Sequence, residues 1–151
     1  MAGEADRSRP DMRLPAPQDL LRFLRFLYMG TMGMTAALMV AGLGLMRLHA
    51  TAPDVIVYVF YLVTAGDVIA AVMLRNRFSA PAAETLRRNP EDSEALMEWT
   101  KGQLLPLPLA VSVGMMGLAC QGFGAGAARV APIYGAALVL LLAMMPKELP
   151  V

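Results

Sequence analysis

Asp67 is the residue of this chain most suited to do chemistry. It stands alone as a charge within the apolar stretch 55–74, and an acid at membrane depth costs at least about 2.5–3.5 kcal/mol on insertion scales, so its presence demands a reason. Thr64 and Ala71 share its helical face, which makes that face small and polar enough to point into a bundle. No Lys or Arg lies deep in another apolar stretch to pair with it, so the acid is expected in its neutral form. Two roles follow. With Thr64, Asp67 carries a proton or cation; alternatively it is a protonated structural donor bonded to a hydroxyl or to a carbonyl freed by proline.

Softer chemistry is suggested by Met29, Met32, Met39 and Met46, which form one face of a helix, and by His49 and Cys120, which fall near the non-cytoplasmic ends of their apolar stretches. Thioethers can bind Cu(I), but methionine is also an ordinary filler of irregular cores, and no metal site is expected. His49 is the only histidine and Cys120 the only cysteine. That excludes a bis-histidine haem, a cysteine-rich zinc site and an internal disulfide. Gly122, Gly124 and Gly126 fall in a turn between apolar segments, the wrong context for a phosphate loop. No catalytic constellation is complete, and no cofactor is expected.

The elements that position these residues are set by composition. The 151 residues are 57% hydrophobic and 17% charged, with a formal net charge of +1 and a mean hydropathy of +0.53. Disorder needs low hydrophobicity and high charge, and a soluble domain needs a polar surface; this chain has neither. The near-zero charge gives no support to nucleic-acid binding. A bilayer core of about 30 Å takes about 20 apolar residues as a helix, and four stretches answer to that, 26–46, 55–74, 104–123 and 130–145. Short turn-rich links within each pair predict an all-α membrane bundle made of two transmembrane hairpins. A hydrophilic connection, 75–103, joins them. Ala50-Thr51-Ala52 resembles a signal cleavage site, but the apolar run before it exceeds a signal core of about 7–15 residues, so the first span is expected to stay.

Orientation follows from the cations. Arg7, Arg9, Arg13, Arg22, Arg25, Arg75, Arg77, Arg87, Arg88, Lys101 and Lys147 fall on one side, against Arg47 and Arg129 on the other. The richer side is cytoplasmic by the positive-inside rule. Residues 1–17 are expected to be a mobile tail and 18–151 the membrane domain. Arg22 and Arg25, beside Leu20, Leu21, Phe23 and Leu24, suit a helix entering the headgroups. In the connection, Asn89 is the expected N-cap and Pro90 the first residue of a helix reaching Trp99 and Lys101, which suit the membrane interface. Residues 81–88 add a short helix. Pro106 and Pro108 are expected to kink the third span or free carbonyls. Close helix packing is expected at Gly30, Gly33, Ala37, Ala41 and Gly44, at Ala110 with Gly114, and at Ala131 with Gly135, by small-xxx-small spacing.

Arg88-Asn89-Pro90-Glu91, set between apolar helices, resembles the polar loop of the rotor c-subunits of ATP synthases. In that family the helix after the loop bears the proton-binding carboxylate; here Pro108 holds that place, between Leu107 and Leu109. The second half, from Leu86 through the run 105–118 to Pro146-Lys147, is similar to small four-span bacterial membrane proteins of uncharacterised activity. That likeness implies a fold and a bacterial inner membrane. The function expected is a non-catalytic subunit or assembly partner of a membrane complex, in contact with lipid and oligomeric; the alternative is a small proton-coupled or cation transporter using Asp67.

Overall fold

Apolar runs bounded by proline, glycine and acid-rich turns favour helices with sharp ends. The computed structural model of the chain describes residues 17–45, 52–146, 148 and 150, and every regular element among them is helical. In order these are α1 (Pro17–Leu45), α2 (Asp54–Arg88), α3 (Ser93–Leu104), α4 (Pro106–Gly122) and α5 (Ala127–Met144). Met46, Arg47, His49, Lys147 and the tail expectation for residues 1–16 lie outside the described residues. Among the described residues four segments are long and apolar enough to cross a membrane: Gln18–Gly42, Asp54–Arg88, Ser93–Gly122 and Ala127–Met144.

The connection expected over 75–103 is a helical hairpin. α2 does not stop near Leu74 but continues to Arg88, so its 35 residues measure about 52 Å against a hydrocarbon core of about 30 Å. Pro81 interrupts nothing because it stands on the exposed face, where the carbonyl it leaves without a donor, that of Arg77, is itself on an exposed residue. Asn89 closes α2, its N–H reaching the Thr85 carbonyl. The cap of α3 is Asp92 and not Asn89: its Oδ1 accepts the amides of Glu94 and Ala95, each at 3.0 Å. A carboxylate accepting two amides at the positive end of a helix outcompetes a neutral cap three residues earlier.

Pro106 and Pro108 do more than kink the third span; they divide it. Leu105 keeps helical dihedrals between α3 and α4, Pro106 opens α4, and beside this joint the Tyr28 hydroxyl donates to the Gln103 carbonyl at 2.8 Å. α4 is the central helix, packed on α1, α2, α3 and α5. Its Ala110, Gly114 and Gly117 are all buried, and side chains this small admit helices on several sides. α4 and α5 form a direct hairpin, whose turn uses Gly124 at φ 90°, a left-handed position that suits glycine. α1 and α2 pack on α4 in preference to each other.

Three apolar clusters stack along the molecule. Val57, Val113, Cys120, Val130, Ile133 and Tyr134 fill one end. Tyr28, Ala71, Leu107, Ala110, Leu140 and Leu141 fill the middle. Leu24, Ala82, Leu86, Ala95 and Trp99 fill the other end, where the α2–α3 hairpin meets the start of α1.

Candidate functional site

The inward stripe of α2 runs through Val57, Thr64, Ala71 and Ser79, and Asp67 stands on its edge, half-buried. Thr64 is buried at 6% exposure. Neither its Oγ1 nor the Oδ2 of Asp67 has a hydrogen-bond partner, although both atoms are buried. The pair expected from the sequence therefore occupies one face and lacks the structural acceptor that a purely structural role needs. Two buried oxygens without partners therefore lie on one face of α2 at mid-helix.

The structure also assembles polar contacts that the sequence reading did not single out. Near one end, Tyr134 Oη donates to Gln121 Oε1 at 2.8 Å, and lies 3.3 Å from the Leu38 carbonyl. Two glycines make room for this group. A Cβ on Gly42 would strike the Gln121 side chain, and one on Gly117 would meet the Tyr134 ring at 2.8 Å. Near the other end, Gln103 Nε2 donates to Ser79 Oγ at 3.3 Å, while Gln103 Oε1 is buried without a partner. The signal that could have found them is an amide beside an apolar run, although Gln103 and Gln121 each fall at the margin of a span, where a polar residue is unremarkable.

The small-residue stripes divide on inspection. Ala110 and Gly114 are buried, with Gly114 facing Thr35 and Leu38 of α1. Gly30, Gly33, Ala37 and Ala41 are exposed, and nothing lies within 4 Å of a Cβ built at Gly30 or Gly33. α1 turns Leu24, Tyr28, Thr35 and Gly42 toward the other helices instead, because Tyr28 and the Gly42–Gln121 approach fix its rotation. Ala131 is likewise exposed, and Gly135 has open space before it. Gly44 falls in the last turn of α1, and its surroundings are not among those described. Met29 and Met39 also face outward.

Of the expected interface anchors, Arg22 and Lys101 are exposed, Arg22 pairing loosely with Asp19 at 3.9 Å. Arg25 Nε donates to the Pro146 carbonyl at 3.2 Å and Arg75 Nη1 to the Ala143 carbonyl at 3.0 Å. α5 has no basic residue in its own last turn, so cations from α1 and α2 serve the negative end of its dipole. Trp99 is not exposed to headgroups; it is 4% exposed, inside the cluster with Leu24, Ala82 and Leu86, because the α2 extension covers it.

At the opposite end Arg129 Nη1 meets Asp54 Oδ1 at 2.8 Å and the Ala52 carbonyl at 3.4 Å, while Tyr61 donates to the Arg129 carbonyl. Pro108 is exposed in the first turn of α4. Among the described residues no cluster of three or more His, Cys, Asp or Glu side chains could hold a metal ion. No protein-family model, curated protein or solved structure matches the chain.

Proposed function

We propose that the chain is a four-span protein of a bacterial cytoplasmic membrane, serving as a small subunit or assembly partner of a larger membrane complex. The observation that carries this is uneven burial. Only 17% of the most apolar stretch of α1, and 17% of that of α2, is buried, against 44% and 39% in the third and fourth candidate spans. Lipid covers such faces in a bilayer. α1 also turns Gly30, Gly33, Ala37 and Ala41 outward, side chains that let a second backbone come close. The same reading groups the chain with the small four-span bacterial proteins that its second half resembles.

Mild-detergent purification tests it. A stoichiometric partner is expected, and Gly33→Leu should cut its recovery about tenfold by blocking backbone approach. The chain's own melting should stay unchanged, since Gly33 faces open space. Met39→Leu, nearly equal in volume, should keep the partner. A pure monomer, or a partner retained by Gly33→Leu, would overturn the reading.

In the proposed orientation both termini and the α2–α3 turn are cytoplasmic. Arg22, Arg25, Arg75, Arg77, Arg87, Arg88 and Lys101 share that end of the molecule, opposite Arg129. Exposed Ser93 and Ala127 mark the two ends. With Cys120 replaced by Ala, Ser93→Cys should be shielded from an impermeant thiol reagent in intact cells, and Ala127→Cys labelled. The reverse pattern would refute the orientation.

A second reading, a small proton-coupled or cation transporter, is favoured by the unpartnered oxygens of Asp67 and Thr64. Proton flux in reconstituted vesicles that depends on Asp67 separates it from the first.

A further inference from the structure

Two concavities on the outer surface of α2 and α5 share a wall at Tyr61. One, about 360 Å³, is an apolar groove between the helices, floored by Thr64, Val68, Ile69, Pro132 and Ala136. The other, about 280 Å³, holds the charged pair Asp54 and Arg129 with Tyr58. Together they run from a polar rim at the starts of α2 and α5 into the apolar body of the molecule. The two helix starts are held together, since the Ala52 amide donates to the Gly124 carbonyl at 3.3 Å. Neither has a side-chain cap.

We infer that this composite groove binds one phospholipid with a zwitterionic, primary-amine headgroup, phosphate on Arg129, ammonium on Asp54 and one acyl chain between α2 and α5. The inference rests on the membrane placement proposed above. Charge complementarity selects the headgroup. Arg129 and Asp54 are paired yet 50% and 73% exposed, so each keeps a free side, and together they match a neutral dipolar group better than a net anion. The Arg129 contacts to Asp54 and Ala52 use Nη1, leaving other guanidinium donors for phosphate. A primary ammonium donates hydrogen bonds to the Asp54 carboxylate, which a quaternary one cannot.

The groove fits the rest of the molecule. From Tyr61 to Ile69 it is about 12 Å long, and its volume of about 360 Å³ has room for part of one acyl chain. Thr64 lies less than one turn below Tyr61 and its buried hydroxyl has no partner. A helix from a second copy would seal the Arg129–Asp54 pair away from water at its own cost.

The test reconstitutes the full chain in vesicles of equal parts phosphatidylethanolamine, phosphatidylcholine and phosphatidylglycerol, extracts it in mild detergent and weighs the complexes by native mass spectrometry. One phosphatidylethanolamine per chain is expected, enriched about tenfold over each competitor. Ala136→Phe fills the groove and should abolish retention. Asp54→Asn leaves Arg129 positive and should turn the preference to phosphatidylglycerol, a reversal that loss of structure does not produce. Equal retention of the three lipids, wild-type preference for phosphatidylglycerol, retention by Ala136→Phe, or a second copy crosslinked at Ile69→Cys would each overturn the inference. A chain recovered outside the vesicles would instead refute the membrane placement on which it rests.

Discussion

Gly102→Val is expected to unfold the α2–α3 hairpin while leaving the rest of α2 helical. Gly102 is the point where α3 lies directly on α2: a Cβ there would collide with Ser79 Oγ, meet the Ser79 backbone nitrogen at 2.8 Å and crowd Phe78 Cβ at 3.1 Å. Side chains can swing away, but a backbone nitrogen inside a helix cannot move alone. Even alanine should cost about 1–3 kcal/mol, and valine, with two further methyl groups in the same space, about 3 kcal/mol or more. The Gln103–Ser79 hydrogen bond is lost with the contact, adding a second unpaired atom beside Gln103 Oε1. Trp99 is the only tryptophan and sits in the cluster this hairpin closes, so its fluorescence reports the event. A red-shifted emission and a lowered melting midpoint are the expected readings. Gly30→Val, at a site with open space, is the matched control. Wild-type emission and melting from Gly102→Val would show that the two helices do not touch there.

That hairpin also marks how far the sequence could be read. The candidate spans are legible because hydropathy is a local property: each uncharged run declares itself without reference to its neighbours. The extension of α2 is not local in this sense. Arg75, Arg77, Glu84, Arg87 and Arg88, with Pro81 among them, look like a hydrophilic connection. The apolar face of Phe78, Ala82 and Leu86 gains meaning only when Ala95 and Trp99 are laid against it. The α3 cap is ambiguous in the sequence for a similar reason. Asn89 and Asp92 both suit an N-cap, and the choice depends on where α2 ends.

The small-residue stripes show a different limit. Size tells that a backbone can approach, but the rotation of a helix decides which face is approached. α1 carries Gly30, Gly33, Ala37 and Ala41 on one side and Leu24, Tyr28, Thr35 and Gly42 on another. Both sides are packable. The Tyr28 hydroxyl, seeking the Gln103 carbonyl, and the Gln121 amide, seated against Gly42, settle the rotation, and neither pairing has a short-range sequence signal. At the candidate site, Asp67 and Thr64 are legible because charge in an apolar run is conspicuous. The Gln121–Tyr134 contact joins α4 to α5 through two residues unremarkable on their own.

Asp67→Leu is expected to stabilise the isolated chain and to abolish whatever Asp67 does. The sign follows from the geometry. Had Asp67 Oδ2 been bonded to a buried hydroxyl or carbonyl, leucine would strand that partner and cost about 1–3 kcal/mol. The atom is buried with no partner, so leucine removes an unpaired polar oxygen whose burial costs about 1–3 kcal/mol. A higher melting midpoint in detergent is the expected result, with Asp67→Asn close to wild type because the amide keeps size and most hydrogen-bonding capacity. Function separates the two proposals. In a carrier both variants lose proton flux in reconstituted vesicles, since neither can release a proton, although both remain folded. In a subunit whose partner meets the half-exposed Asp67 side chain once it turns outward, wild type shows no flux, Asn keeps the complex and Leu loses it. A fall in the melting midpoint of the isolated Asp67→Leu chain would mean that Asp67 already has a partner within its own bundle, and both roles would lose the vacancy that recommends them.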